Sequence, residues 1–314
     1  MRDDHFTFTA NDGARLFVYR WRPDFGIGKA VVHIAHGLAE HAGRYARLAE
    51  TLTDNGYLVY AHDHRGHGRT AQSQDELGYF GEQNGWNRVV QDLAQLCEAE
   101  KTEYPQLPLF LLGHSLGSTM AQQLLYEHPD LCDAVALSGA NGVISPLVYL
   151  GQFVARLERL RLGKRGRSDV INSLSFDAFN KNFQPNRTAF DWLSRDEAEV
   201  DKYIADPLCG FTATTQLWAE LLSAMPRIAR PENRARIRKS LPIYLFTGGE
   251  DPVNEQSRGC VALAEDYRRI GLKSTSYKVY PRARHETLNE LNREEVTAHL
   301  LEWLDALVHL LRNQ

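Results

Sequence analysis

The run LFLLGHSLGSTMAQQLLY, Leu109 to Tyr126, changes character halfway along. Leu109 to Leu112 is an unbroken apolar stretch of strand length, Gly113 to Gly117 supplies a turn, and from Leu116 the apolar residues recur at helical spacing. A buried strand that turns into a helix through G-x-S-x-G carries its serine at the turn. Side chains at Gly113 and Gly117 would collide with the neighbouring strand and helix, so glycine is required where the backbone is cramped. That geometry lifts the Ser115 hydroxyl above the sheet, next to the free N–H groups of the helix that follows, where an oxyanion can be held. Ser115 is therefore expected to be a nucleophile rather than part of a glycine-rich structural turn.

Working outward, FTFTANDGARLFVYRWRP alternates apolar and polar residues around Asn11-Asp12-Gly13, which predicts an antiparallel edge hairpin. AVVHIAH (Ala30 to His36), YLVYAHD (Tyr57 to Asp63), Ala134 to Ser138, PIYLFTGGED (Pro242 to Asp251) and STSYKVY (Ser274 to Tyr280) read as further strands. Helical patterns cover Tyr45 to Asn55, Asn87 to Tyr104, Val253 to Ile270 and about Arg293 to Arg312. Strands apolar on both faces and separated by helices imply a mostly parallel sheet with helices on both sides. From Asn141 to about Ser240 strand signals vanish and the pattern is helical, so residues 1–140 and 241–314 are expected to form one core and 141–240 an inserted helical cap. An insertion between two strands of such a sheet overhangs their carboxyl ends, where ligands bind.

The bulk numbers exclude several classes. A chain of 314 residues, 43% hydrophobic and 24% charged, is globular and large enough for one substantial core. A net charge of -4 gives no global attraction for nucleic acid. Cys97, Cys132, Cys209 and Cys260 stand singly, which suggests neither a zinc site nor a disulfide framework and fits a reduced, cytoplasmic protein. The start MRDDHFTFTA lacks the basic and apolar regions of a signal peptide, and no stretch approaches a membrane span.

A serine needs a base, and the base an orienting acid. Asp251 follows the strand YLFTGG at a Gly-Gly turn, and His285 follows SYKVY in the loop PRARHETLNE. Both lie just past strand ends, and the order Ser115, Asp251, His285 is the one expected of this fold class; the alternatives are a helix-cap aspartate and a surface histidine. One oxyanion N–H is expected from Leu116 and the other from Leu38, with Gly37 and Ala39 a register step away. Glu40 and Arg44 either line a polar pocket for a leaving alcohol or form an i, i+4 ion pair at a helix start. His114, directly before the nucleophile, is taken as a further substrate-side residue. The histidine-rich HDHRGHG (His62 to Gly68) is read as a polar network under the active-site loops rather than a metal site, because matched ligand spacing is missing. No metal and no organic cofactor is expected. VISPLVYLGQFVARLERLRLGKRGR places Leu147, Leu150, Val154 and Leu157 opposite arginines. Such a helix either lids a lipidic site and touches the inner membrane surface transiently or simply docks the cap onto the core.

Four blocks, HGLAEHAGRYARLAETLTDNGYLVYAHDHRGHGRT, GHSLG, GGEDPVN and ARHETLNE, resemble the α/β-hydrolases of the monoacylglycerol lipase and lysophospholipase group, which is also termed serine aminopeptidase-like. DWLSRD and DPLCGF resemble bacterial lysophospholipase-like members. The resemblance runs across the chain and implies an eight-stranded α/β-hydrolase fold, the triad Ser115, Asp251 and His285, oxyanion donors Leu38 and Leu116, and Glu40 and Arg44 near the glycerol-facing end. The implied activity is hydrolysis of monoacyl lipid esters through an acyl-enzyme. A short-chain carboxylesterase, an aminopeptidase-like amidase and a non-catalytic ligand-binding relative are the alternatives. In one respect the chain departs from the pattern: vertebrate monoacylglycerol lipases have a second histidine three positions past the catalytic one, and here that position is Leu288.

Overall fold

A computed structural model describes residues 1–312. Its strands are β1 (Arg2–Thr9), β2 (Arg15–Arg22), β3 (Val31–Ala35), β4 (Leu58–His62), β5 (Leu109–His114), β6 (Ala134–Ser138), β7 (Ile243–Gly248) and β8 (Thr275–Tyr280). They form one sheet in the order β1-β2-β4-β3-β5-β6-β7-β8. The first three strands in that order pair antiparallel and every later pairing is parallel. The edge hairpin forms as its sequence predicts, with Gly13 at φ 85 and Asp12 Oδ1 accepting from Ala14 N at 3.2 Å.

Side-chain alternation in the central strands feeds two separate cores. In β3, Val31 and Ala35 face one apolar cluster and Val32 and Ile34 the other; in β5, Leu109 and Leu111 oppose Phe110 and Leu112. The second face is covered by α1 (Ala46–Asp54) through Leu48 and Leu52. The first is covered by α2 (Gly85–Glu103) and α3 (Leu116–Glu127), with Leu93, Met120 and Leu124 fully buried. Burial on both faces favours apolar side chains throughout these strands, which is why they read as nearly continuous apolar runs; the exception in β3, His33, is buried with hydrogen-bond partners on both ring nitrogens.

Between β6 and β7 come α4 (Pro146–Leu162), α5 (Asp169–Leu174), α6 (Phe176–Asn180), α7 (Glu197–Ala205), α8 (Thr215–Ile228) and α9 (Pro231–Arg234). This insertion has no large core of its own. Leu217, Leu221, Ala224 and Ile228 of α8 belong to the same apolar cluster as α2 and α3, while Trp192, Leu193 and Tyr203 form a small satellite. The chain closes with α10 (Arg258–Arg269) and α11 (Arg293–Arg312). Helix α10 starts five residues later than the periodicity from Val253 predicts. Pro252–Asn254 is a single 3-10 turn, and Glu255, Gln256 and Ser257 all adopt positive φ, which no α-helix tolerates.

Candidate active site

Because the sheet is parallel from β4 onward, the carboxyl ends of β3, β5, β7 and β8 open on one edge, and each delivers one part of the site. After β5 the backbone turns so sharply that Ser115 sits at φ 51, ψ -112, directly before α3. A non-glycine residue there costs on the order of 1–3 kcal/mol, so the surroundings must impose it. Ser115 N donates to Ser138 O at 2.9 Å, and Ser118 Oγ donates to Ser115 O at 2.6 Å. The two glycines are there for space: a Cβ on Gly113 would lie 2.6 Å from Gly117 O, and one on Gly117 would lie 2.0 Å from Ala35 O.

Past β7 and β8, Asp251 and His285 meet. His285 Nδ1 lies 2.9 Å from each Asp251 oxygen. An ionised carboxylate only accepts, so Nδ1 carries the proton and Nε2 keeps a lone pair. Both side chains are buried. Burial pushes the His285 imidazole toward the neutral form, yet the charge and hydrogen bond of Asp251, with Glu286 and Glu40 behind, raise its pKa overall. Asp251 is itself held by Thr247 Oγ1 at 3.1 Å, Asn254 Nδ2 at 2.9 Å and Val253 N at 3.0 Å. Sequence reading missed Thr247 and Asn254, although the first directly precedes the GGEDPVN block and the second closes it. Ser115 and His285 line one cavity.

Of the oxyanion candidates, Gly37 N is committed to Glu40 Oε1 at 2.5 Å, and Ala39 is buried at φ 58 away from the cavity wall. Leu38 and Leu116 both line the cavity, and neither N–H is engaged by a turn or cap bond among the described residues. Glu40 also reaches the cavity wall, where it accepts from Tyr45 Oη at 2.9 Å and Arg44 Nη1 at 2.6 Å. Arg44 does not line the main cavity: the i, i+4 ion pair forms, and the same guanidinium grips Glu286 at 2.6 and 2.7 Å. It supports the wall from behind, with its guanidinium over the Tyr203 ring. His114 lines the cavity and bonds Ser138 Oγ at 3.1 Å. Burial, and next the neighbouring His285, lower its pKa to about 4, so it is neutral. Leu288 is buried in the second apolar cluster.

The insertion holds the loops after β3 and β8 by hydrogen bonds to main-chain groups, which no sequence pattern announced. Ala39 O accepts from Gly210 N at 2.9 Å and from Tyr203 Oη at 2.8 Å. On the other side Glu286 N donates to Leu193 O at 2.8 Å, Arg284 Nη1 donates to Ser194 O at 3.1 Å, and the Trp192 ring lies 5.3 Å from His285. The DPLCGF and DWLSRD blocks thus tie down the loop after β3 and the histidine loop.

The dense histidines form a hydrogen-bonded chain. Glu100 Oε1 meets His33 Nδ1 at 2.6 Å, His33 Nε2 meets His62 Nδ1 at 3.0 Å, His62 Nε2 meets His64 Nδ1 at 3.0 Å, and His64 Nε2 meets His36 O at 3.1 Å. Four bonds need four protons, but three neutral imidazoles carry three. The buried chain therefore holds one extra proton, on Glu100 or on a ring. Glu100 is pushed toward its protonated form by burial, against the pull of His33. The chain ends on the carbonyl of His36, next to the oxyanion loop and near the position a Gly117 Cβ would occupy.

A cavity of about 490 Å³ leads from Ser115 and His285 into the insertion, where Leu147, Leu150 and Val154 of α4, Phe176 and Phe179 of α6 and Trp192 line it. That volume lies in the range of sites that engulf a drug-sized ligand. The outward side of α4 is apolar as well: Phe153 is 60% and Leu160 81% exposed.

Residues 27–292 match the family model of serine aminopeptidase, S33. The chain is 32% identical over 298 residues to the monoglyceride lipase of Mus musculus, covering 95% of this chain and 88% of that one. It is 29% identical over 307 residues to the monoacylglycerol lipase of Mycolicibacterium smegmatis, covering 96% and 97%. Its fold superposes on a thermostable carboxyl esterase from Bacillus coagulans, solved in complex with glycerol, with TM-score 0.89 and 25% identity over 98% of this chain and 99% of that one. The chain is an α/β-hydrolase and belongs to the serine aminopeptidase, S33 family.

Proposed function

We propose that this protein hydrolyses carboxylic esters of monoacyl lipids, with Ser115 as nucleophile, His285 as base and Asp251 as its orienting acid. The observation that carries this is a single cavity that is apolar along its insertion side and ends at Ser115 and the Asp251-paired imidazole. In this reading His285 Nε2 takes the Ser115 proton as Oγ attacks the ester carbonyl, and the N–H groups of Leu38 and Leu116 receive the oxyanion. His285 then protonates the departing alcohol and later activates the water that clears the acyl-enzyme. The acyl chain lies among the apolar side chains of the insertion, 141–240, which acts as a cap. Each buried methylene adds roughly 0.8 kcal/mol of binding, so chain length is selected. Glu40 and His114 face the alcohol. The outward apolar face of α4 and the arginines near its end support transient contact with a lipid surface. Among the described residues no helix is long and apolar enough to cross a membrane.

Ser115→Ala should abolish both turnover of a p-nitrophenyl ester and labelling by a fluorophosphonate probe; labelling that persists at another residue refutes the assignment. An acyl-length series run side by side on monoacylglycerols and lysophospholipids should peak at long chains. A maximum at two to four carbons would make the enzyme a short-chain carboxylesterase instead.

A further inference from the structure

The polar end of the cavity is not electrically balanced. Glu40 and Glu286, 3% and 6% exposed, both form part of its wall. Each is saturated as a carboxylate: Glu40 accepts from Gly37 N, Tyr45 Oη and Arg44 Nη1, and Glu286 accepts from Arg44 Nη1 and Nη2 and from Asn289 Nδ2 at 3.0 Å. One guanidinium therefore faces two carboxylates. Of the nearby cations, Arg284 meets neither carboxylate: it donates to the carbonyls of Asp191 and Ser194 and lies over the Phe183 ring. Arg47 is taken by Glu199, His41 by Asp206, and His114 is neutral. Asp251 adds a further negative charge behind His285. Burial alone would push Glu286 up, but the Arg44 charge and hydrogen bonds hold it down at about 2, so it stays ionised across the working range.

The acyl side of the cavity is apolar, so the alcohol portion of an ester held at Ser115 lies toward Glu40 and Glu286. We propose that Glu286 makes this end a charge filter, admitting esters of uncharged or cationic alcohols and turning away those whose alcohol carries an anion, a phosphate above all. This rests on the ester-hydrolase function proposed above and narrows it: within monoacyl lipids, glycerol esters are substrates and phosphate-bearing ones are not. The excess charge is useful to the reaction as well, since it lies near the imidazolium that forms when His285 takes the serine proton. An uncompensated charge roughly 7–12 Å away, at an effective dielectric near 20, changes binding of a unit charge by about 10- to 50-fold.

The test uses soluble hexanoate esters, which avoids the surface charge of micelles. The alcohols are glycerol, glycerol 3-phosphate, choline, and 3,3-dimethylbutanol as the uncharged copy of choline. For the wild-type enzyme kcat/KM for the glycerol ester should exceed that for the glycerol phosphate ester by about 10-fold or more, and the choline ester should exceed its uncharged copy. Glu286→Gln keeps the shape and balances Glu40 against Arg44, so both ratios should shrink by about 10-fold, whereas Glu286→Asp should retain their direction. Equal wild-type rates on the anionic and neutral glycerol esters overturn the filter, as does an unchanged ratio in a folded Glu286→Gln enzyme. Failure to hydrolyse any of the four esters would instead overturn the ester-hydrolase function itself. The wild-type ordering needs no variant, so a poorly folded Glu286→Gln leaves the proposal open to refutation.

Discussion

Replacing Asp251 by asparagine changes one atom, and the structure says why that atom matters. Every neighbour of the carboxylate is a donor: His285 Nδ1 toward both oxygens, Val253 N toward Oδ1, and Thr247 Oγ1 and Asn254 Nδ2 toward Oδ2. An amide must aim its NH2 at one of these sets. Placed at the Oδ1 position it orphans the Val253 N–H, and placed at the Oδ2 position it opposes the Asn254 amide. An orphaned buried donor costs about 1–3 kcal/mol, which is the expected loss of stability. The cheaper accommodation for His285 is to accept from the new NH2 at Nδ1, which moves its own proton to Nε2. That nitrogen then cannot take the serine proton, and kcat should fall by about 10³- to 10⁴-fold, as when a triad aspartate is neutralised elsewhere. This corresponds to roughly 4–5.5 kcal/mol of barrier. Steady-state kinetics on p-nitrophenyl butyrate across pH, with circular dichroism to establish folding, measure it. Because Asp251 raises the His285 pKa, wild-type kcat/KM should rise with pH along a limb displaced above the ordinary histidine range, and the residual activity of Asp251→Asn should follow a limb at lower pH. A folded Asp251→Asn enzyme with more than about a tenth of wild-type kcat, or with an unmoved limb, would remove Asp251 from the mechanism.

Three further outcomes are expected. Gly117→Ala drives a Cβ to 2.0 Å from Ala35 O and 2.8 Å from His36 O, both backbone atoms, so it should destabilise by about 3 kcal/mol or more in a denaturant titration; a loss under about 1 kcal/mol contradicts the close packing of α3 on β3. Glu100→Gln supplies the fourth proton of the histidine chain from an uncharged amide. The raised pKa of Glu100 makes its contribution to wild-type stability full at low pH and lost as pH rises through its folded value, so the variant should gain on wild type as pH rises above the ordinary glutamate range, and a difference flat in pH refutes the extra proton. Phe153→Glu with Leu160→Glu, both on the outward side of α4, should weaken sedimentation with phosphatidylglycerol vesicles while hydrolysis of a soluble ester is retained; unaltered vesicle binding excludes that face as the lipid contact.

Much of the candidate site was legible because it is built from local signals repeated at strand ends. Ser115 and Asp251 each follow a short apolar run, His285 follows the more polar strand TSYKVY, and the G-x-S-x-G elbow is recognisable from the strand before it and the helix after it. Apolar spacing places the start of α10 too early because it carries no information on backbone handedness, and three left-handed residues intervene. The role of Arg44 divided two readings evenly from sequence. Its spacing from Glu40 is local, but its other partner, Glu286, lies 242 positions away.

The sequence by itself determined the sheet, the G-x-S-x-G elbow and the order of the candidate site groups, since strand, turn and helix preferences act over a few residues and apolar runs report burial directly. Only the tertiary structure decided what surrounds those groups. It set Thr247 and Asn254 on Asp251, threaded Glu100 through three histidines to the His36 carbonyl, tied DWLSRD and DPLCGF to the loops after β8 and β3, and left two carboxylates sharing one guanidinium at the cavity wall. These are pairings between residues far apart in the chain, and their energies depend on burial and mutual geometry that no short window of residues encodes.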